Sequence, residues 1–150
     1  MTSRYQIARA AELEALAAFR DLIDRACGER PAVDRQTCYD LKLAVEEACT
    51  NVITHGYASM NPGSIVLALE FDREQVRVTL TDFGHPFEPC EPATPDVEAS
   101  LKDGPAQGFG LYFIYQTMDH IGYETAEDGN HLRFVKRLPA SRRAQAREER

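Results

Sequence analysis

No stretch of the 150-residue sequence is apolar for long enough to cross a bilayer, which takes about 20 consecutive apolar residues. The opening MTSRYQIARAAELEAL contains acids and lacks the apolar run of a secretory signal. Cysteine is scarce. Cys27, Cys38, Cys49 and Cys90 form no CxxC, and no Cys/His pair has the spacing of a zinc site. A disulfide framework and a structural zinc are thereby disfavoured, and a reduced, cytoplasmic protein without a membrane segment is expected. No internal repeat is present. Positive charge is also short, with a net charge of −7. From Arg142 to Arg150 four Arg and two Glu make the tail +2, so the rest of the chain carries −9. An acidic body argues against direct binding to nucleic-acid phosphates. It suits a basic protein partner, whose encounter rate would fall with salt.

What is present suits one domain with a single core, residues 1–138, followed by a basic, flexible tail at 139–150. Residues 4–8 read as a short strand. Leu13, Leu16, Ala17, Phe19 and Ile23 recur at helical spacing between Ala10 and Cys27. Gly28 fits the end of that helix, and Asp34 the N-cap of a second helix over residues 35–56. There Leu41, Val45, Ala48 and Val52 form one apolar stripe. SIVLALEF and QVRVTLTD read as two strands joined by DREQ, an antiparallel hairpin. Residues 83–107 hold five of the eight prolines and little periodicity, and a loop of that length in a small domain is usually functional or disordered. GFGLYFIYQTMDHIG returns to helix, with Leu111, Ile114, Tyr115 and Met118 inward, and YETAEDGNHLRFVKRL closes as a hairpin turning at Asp128-Gly129. This order predicts an α+β, two-layer α/β sandwich, a mostly antiparallel sheet with helices on one face.

Three short constellations carry chemistry. In LAVEEACTNVITHGY, Glu47, Asn51 and His55 are spaced by four and share a helix face beside the apolar stripe. An amide oxygen can ligate a hard cation such as Mg²⁺, and a carboxylate one turn away can take a proton from a hydroxyl. Glu46 is a second candidate acid, but it points about 100° away around the helix. In TDFGHPF, Asp82 ends a strand and Gly84 follows. A carboxylate there can accept from an exocyclic amine, and a residue without Cβ admits a flat ring. In GFGL, residues 108–111, glycines precede a helix start whose unpaired N–H groups suit a polyphosphate. Each pattern alone is most often structural. The dispersed His85, His120 and His131 read as structural or surface residues, and Lys136 as a solvated strand position.

Taken in order, EEACTNVITHGY, TDFGHPFEP, GFGLYFIYQTMD and DGNHLRFVKRL resemble the N, G1 and G2 boxes of the histidine kinase-like (GHKL) ATP-binding fold. The detail is similar to the bacterial anti-sigma factor serine/threonine protein kinases of the RsbW and SpoIIAB type, from about Tyr5 to Leu138. The resemblance implies ATP and Mg²⁺ as cofactors. It implies that Asn51 holds Mg²⁺, that Glu47 is the catalytic base, and that Asp82 binds the adenine amine with Gly84 as its companion. Gly108, Gly110 and Leu111 match the glycine box beside the phosphates, under a loop at 88–107. Asn130 stands where a Thr near adenine is typical, Gln107 where a Gly is frequent, and Glu46 where a small residue is frequent. The implied activity is that of an anti-sigma factor that binds a sigma factor and phosphorylates an STAS-domain anti-anti-sigma protein, as a homodimer. The alternative is an ATP-binding partner-switch module without significant kinase activity.

Overall fold

The structure is a computed structural model that describes residues 2–86 and 111–139. Expectations for the 88–107 loop, Gly108, Gly110, Cys90 and the tail from residue 140 fall outside the described residues.

Among the described residues five strands form one antiparallel sheet. They are β1 (Ser3–Ala10), β2 (Ser64–Phe71), β3 (Gln75–Asp82), β4 (His120–Ala126) and β5 (Gly129–Arg137), in spatial order β1-β2-β3-β5-β4. Alternation decides which face is buried. Ile65, Leu67, Leu69 and Phe71 of β2 and Val76, Val78 and Leu80 of β3 are 0–1% exposed. Among the described residues three helices cover that face: α1 (Glu14–Gly28), α2 (Arg35–Asn51) and the short α3 (Tyr112–Thr117). Phe19 and Ile23 of α1, Leu41 and Val45 of α2 and Ile114 of α3 complete the core with Phe134 of β5. Each such side chain contributes about 2–3 kcal/mol of burial. No helix among the described residues is long and apolar enough to cross a membrane.

Local chemistry sets several boundaries as the sequence predicts. Asp34 caps α2 by accepting the Thr37 N–H at 3.0 Å. Asp72 Oδ1 accepts the N–H groups of Glu74 and Gln75 at 2.7 and 2.9 Å, which closes the β2–β3 hairpin. Gly129, at φ +123°, makes the β4–β5 turn.

Other boundaries differ. Gly28 lies within α1, and the helix ends on Glu29 in a right-handed conformation, so no left-handed glycine cap forms. The second helix does not run unbroken to residue 56. It ends at Asn51, and Val52–Gly56 continue as a π-helical turn in which the Tyr57 N–H reaches the Val52 carbonyl at 3.0 Å. A π turn advances less per residue than an α turn, so His55 falls short of the row begun by Glu47 and Asn51. Of the helix expected over residues 108–122, the described residues from 111 onward hold Tyr112–Thr117, and β4 pairs with β5 from His120 onward. Lys136 is not solvated. Its side chain shares the buried face of β5, where Nζ stands 3.4 Å from Asp40 Oδ2 and donates to the Thr117 carbonyl at 2.6 Å. Removing either member of such a buried pair strands the other charge, so the pair ties β5 to α2 and α3.

Candidate functional site

The π turn follows the end of α2 and brings Gly56 against Asp82 and Gly84 at the end of β3. Gly56 presents its carbonyl to the His85 N–H at 2.5 Å. Gly84 packs so close that an added Cβ would stand 2.2 Å from the Gly56 oxygen and 2.6 Å from its carbonyl carbon. The absence of a side chain at Gly84 therefore serves contact between two backbones, whereas the sequence suggested room for a ring. Gly84→Ala is expected to destabilise by about 2–3 kcal/mol, since backbone rather than a mobile side chain must yield. Gly28 is the control. It lies in a helix with nothing within 4 Å of an added Cβ, so Gly28→Ala should stabilise by about 0.5–1 kcal/mol. Urea midpoints of the two variants check both signs.

Tyr57, which sequence reasoning passed over, staples the same junction. It is buried, accepts the Phe83 N–H at 2.9 Å and donates to the Ser64 carbonyl at 2.8 Å. Burial and the Asp82 charge both raise its phenol's pKa, against the pull of the Phe83 N–H. The signal was in the quoted stretch, where THGY ends a helix with a residue that has both an apolar ring and a polar tip.

Asp82 is 4% exposed, and its Oδ1 accepts two hydrogen bonds, from the Gly84 N–H at 2.9 Å and from Asn130 Nδ2 at 3.0 Å. Its Oδ2 makes no hydrogen bond among the described residues. Asn130 sits directly opposite Asp82 in the ladder. Its Nδ2 also donates to the Gly84 carbonyl at 2.9 Å, and its Oδ1 accepts from Thr125 Oγ1 at 3.2 Å. Asn130 thus supports Asp82, a role that follows from the strand register.

Glu47 and Asn51 lie one turn apart at the other side of the junction. Glu46 is turned away, with Oε2 3.5 Å from Arg20 Nη2 on α1. Glu47 accepts the backbone N–H groups of Ile114 and Phe113. Leu111, the N-cap position of α3, makes no side-chain cap bond, so Glu47 caps α3 from a neighbouring helix. Two N–H groups expected to be open for a phosphate are therefore engaged, and the Leu111 side chain packs in the core at 3% exposure. Burial pushes the Glu47 carboxyl up to about 8, the Ile114 and Phe113 N–H groups pull it back in part, and the Glu46 charge adds to the rise.

Two atoms of this pair stand out. Glu47 Oε2 and Asn51 Nδ2 are buried and have no hydrogen-bond partner. Buried polar groups are nearly always satisfied, so two orphans one turn apart mark a place prepared for something polar. The Asn51 oxygen is likewise unbonded among the described residues, and a half-turn of the amide exchanges its two ends. An amide oxygen, a carboxylate and the spare oxygen of Asp82 are hard donors that suit a cation with a polyphosphate and an exocyclic amine. Among the described residues no group of three or more His, Cys, Asp or Glu side chains could hold a metal by itself. A cation here would need oxygens from its ligand or from water.

Comparison with known proteins identifies the family of the fold. A family model described as histidine kinase-like ATPase domain matches residues 9–136. The serine/threonine-protein kinase BtrW of Bordetella bronchiseptica is 29% identical over 94 residues, 63% of this chain and 66% of that protein, just under two thirds of its length. The anti-sigma F factor of Pasteuria penetrans is 30% identical over 105 residues, 69% of this chain and 70% of that protein. Among solved structures, a chain holding the RsbU and RsbW domains of a Mycobacterium tuberculosis protein matches with a TM-score of 0.66 at 19% identity. It covers 91% of this chain and 32% of that one, and shows the likeness of fold.

Proposed function

The chain belongs to the histidine kinase-like ATPase family, and from that premise we propose that it is an ATP-dependent serine/threonine protein kinase and anti-sigma factor. In this reading it works in the cytoplasm as a homodimer, holds a sigma factor, and phosphorylates an STAS-domain anti-anti-sigma protein. The observation that carries the reading is the orphaned pair on α2, Glu47 Oε2 and Asn51 Nδ2. A merely structural helix face would have satisfied or exposed those atoms.

Asn51 would hold Mg²⁺ through its amide oxygen, and Asp82 Oδ2 would accept the amine of adenine. Bound ATP supplies the phosphoryl group, and Mg²⁺ offsets the charge of its phosphates. The chain's own work is positioning and proton handling. Glu47 would receive the proton of the incoming serine or threonine hydroxyl. It must first lose its own proton, and burial holds that proton in place up to about pH 8. The glycines at 108 and 110 and the 88–107 segment would complete the phosphate side, and the 139–150 tail would stand apart from the domain.

A second reading, a nucleotide-binding switch without useful kinase activity, has its own support. Glu47 already spends one oxygen on α3 and is mostly protonated at neutral pH. Incubation with γ-labelled ATP and candidate STAS proteins separates the two. Label on a serine or threonine of the partner supports the kinase. Magnesium-dependent ATP affinity without transfer supports the switch, and absence of affinity removes both. Asn51→Ala should weaken Mg·ATP binding about a hundredfold, near 3 kcal/mol, and abolish the magnesium dependence of what remains, as read by calorimetry with and without the metal.

A further inference from the structure

One face of the sheet carries no helix among the described residues, since α1, α2 and α3 all pack on the other. Strand parity puts Arg4, Arg77, Arg133 and Arg137 on the open face, against Glu70 and Glu124. Four arginines against two glutamates leave its strand residues at +2, on a chain whose net charge is −7. The face is also concave. Ala68 lies in the ladder between Gln6 of β1 and Thr79 of β3. Its short side chain makes a floor, and the longer side chains around it wall a cavity of about 350 Å³. Arg4, Arg77 and Arg133 line this cavity, and Glu70 is the one acid among its lining residues.

The ion pairs leave positive charge unspent there. Glu70 stands directly opposite Arg77 in the ladder, yet its Oε1 accepts from Arg4 Nη1 at 3.0 Å. Arg4 Nη2 donates to Gln6 Oε1 at 2.8 Å. Arg77 is exposed and makes no hydrogen bond or ion pair among the described residues. Arg133 gives Nη1 to Glu124 Oε2 at 3.1 Å, on the outer strand β4, and keeps the rest of its fork. Thr79 is the ladder partner of Arg133, and its hydroxyl is unbonded among the described residues. Arg77 lies on the diagonal from Arg133, roughly 7–8 Å away. Neighbours across a sheet favour opposite charges, and here two guanidinium groups adjoin with no carboxylate between them. His131 closes one wall without adding a donor. Its ring nitrogens stand 2.9 Å from Thr81 Oγ1 and 3.0 Å from Asp128 Oδ1, so both are engaged.

We propose that the open sheet face holds an anion site for a phosphorylated small molecule with two or more negative charges. Arg77, Arg133 and the Thr79 hydroxyl would bind it, with Arg4 at the far wall. The cavity has the volume of a small-molecule site, which favours a compact ligand over a macromolecule. A phosphoryl group suits the donors better than a carboxylate. Its three oxygens are arranged tetrahedrally, so two guanidinium forks and a hydroxyl can reach it from different sides, whereas a carboxylate offers two oxygens in one plane. Asp82 faces the helical side of the sheet, and Glu47 and Asn51 lie on α2. The inference is therefore independent of the proposed kinase function.

The test titrates inorganic pyrophosphate, without magnesium, into the full chain labelled with ¹⁵N. Backbone amide and arginine Nε–H signals report where it binds. The expected result is saturable shifts at Arg77, Thr79 and Arg133 with a dissociation constant of about 1 mM or tighter, weakening as sodium chloride is added. Arg77→Gln and Arg133→Gln should each weaken binding about tenfold. Both side chains are exposed, so the melting temperature of each variant should stay within about 2 °C of the wild type. Shifts confined to Asn51, Asp82 and Gly84 would place the anion in the other site and overturn the proposal. So would unchanged affinity in the double variant, equal affinity for citrate, or non-saturating shifts spread over all the arginines. Analytical ultracentrifugation at the same concentration reads one further outcome. Closure of this face on a second copy of the chain, with no response to pyrophosphate, would also overturn it.

Discussion

Glu47→Gln should lower phosphoryl transfer about 10²–10⁴-fold while leaving Mg·ATP affinity within about twofold. The geometry separates the two effects. Glutamine keeps a carbonyl oxygen for the Phe113 and Ile114 N–H groups, so the start of α3 stays capped. It cannot accept a proton from a hydroxyl. Single-turnover transfer to the phosphorylated partner reads the first effect, and calorimetry with a non-hydrolysed nucleotide reads the second. Glu46→Gln is the control. That carboxylate faces Arg20 with both side chains about half exposed, and such a pair contributes little, so transfer should change less than about twofold. Loss of transfer in the Glu46 variant with normal transfer in the Glu47 variant would reverse the assignment of the base.

The same substitution has a signature in stability. The folded carboxyl of Glu47 is raised from 4.5 to about 8. Between those values the folded state holds a proton that the unfolded state has released. Stability must therefore fall as pH rises through that window and level off above it. Glu47 is only partly buried, so solvent screening reduces the effect to about 1–2 kcal/mol. Glu47→Gln should flatten the slope of unfolding free energy between pH 5 and 8 by that amount. In the wild type, transfer should rise toward pH 8 as stability declines, because both follow one ionisation.

How much of this was legible in the sequence depends on what each feature rests upon. The β2–β3 hairpin was legible to the residue, because alternation, DREQ and a strand-ending Asp82 are local signals. The end of α2 was not. The apolar stripe continues through Val52, and nothing local announces a π turn. The contacts that accompany it are distant ones, Gly84 on the Gly56 carbonyl and Tyr57 between Phe83 and Ser64. The switch from α3 to β4 was hidden for the same reason, since the Asp119 N–H bonds to Val135 and ladder pairing overrides a helical pattern. Lys136 was a missed signal. Parity along β5 places Asn130, Leu132, Phe134 and Lys136 on one face, and Asp40 shares the buried face of α2. A lysine in phase with a core strand and an acid in phase with a core helix is a pair that sequence can offer. Glu47, Asn51 and Asp82 were singled out by the order of their motifs in the sequence, whereas the contacts of Asn130, Tyr57 and Gly84 exist only in the folded register.

Asp82→Asn should weaken ATP binding about a hundredfold or more and reverse the preference of the site between six-amino and six-oxo purines. The Asp82 carboxylate has one oxygen committed, since Oδ1 receives the Asn130 and Gly84 donors at 3.0 and 2.9 Å. In the asparagine variant those same donors demand the carbonyl oxygen, so the amide has one allowed orientation. Its NH₂ then stands where Oδ2 stood, and a donor faces the exocyclic amine of adenine. Two donors left face to face in a site only 4% exposed forfeit their hydrogen bonds to water without gaining one another. Hypoxanthine carries an oxygen at the same ring position, and the new NH₂ can donate to it. ITP should therefore lose far less affinity than ATP, or gain. Because the Oδ1 bonds survive, the melting temperature should stay within a few degrees of the wild type. An equal fall for ATP and ITP would mean that Asp82 serves the β3 exit alone, as the anchor of Gly84 and Asn130. A fall confined to ATP would place the purine amine on Oδ2 by chemistry that no loss of stability can imitate.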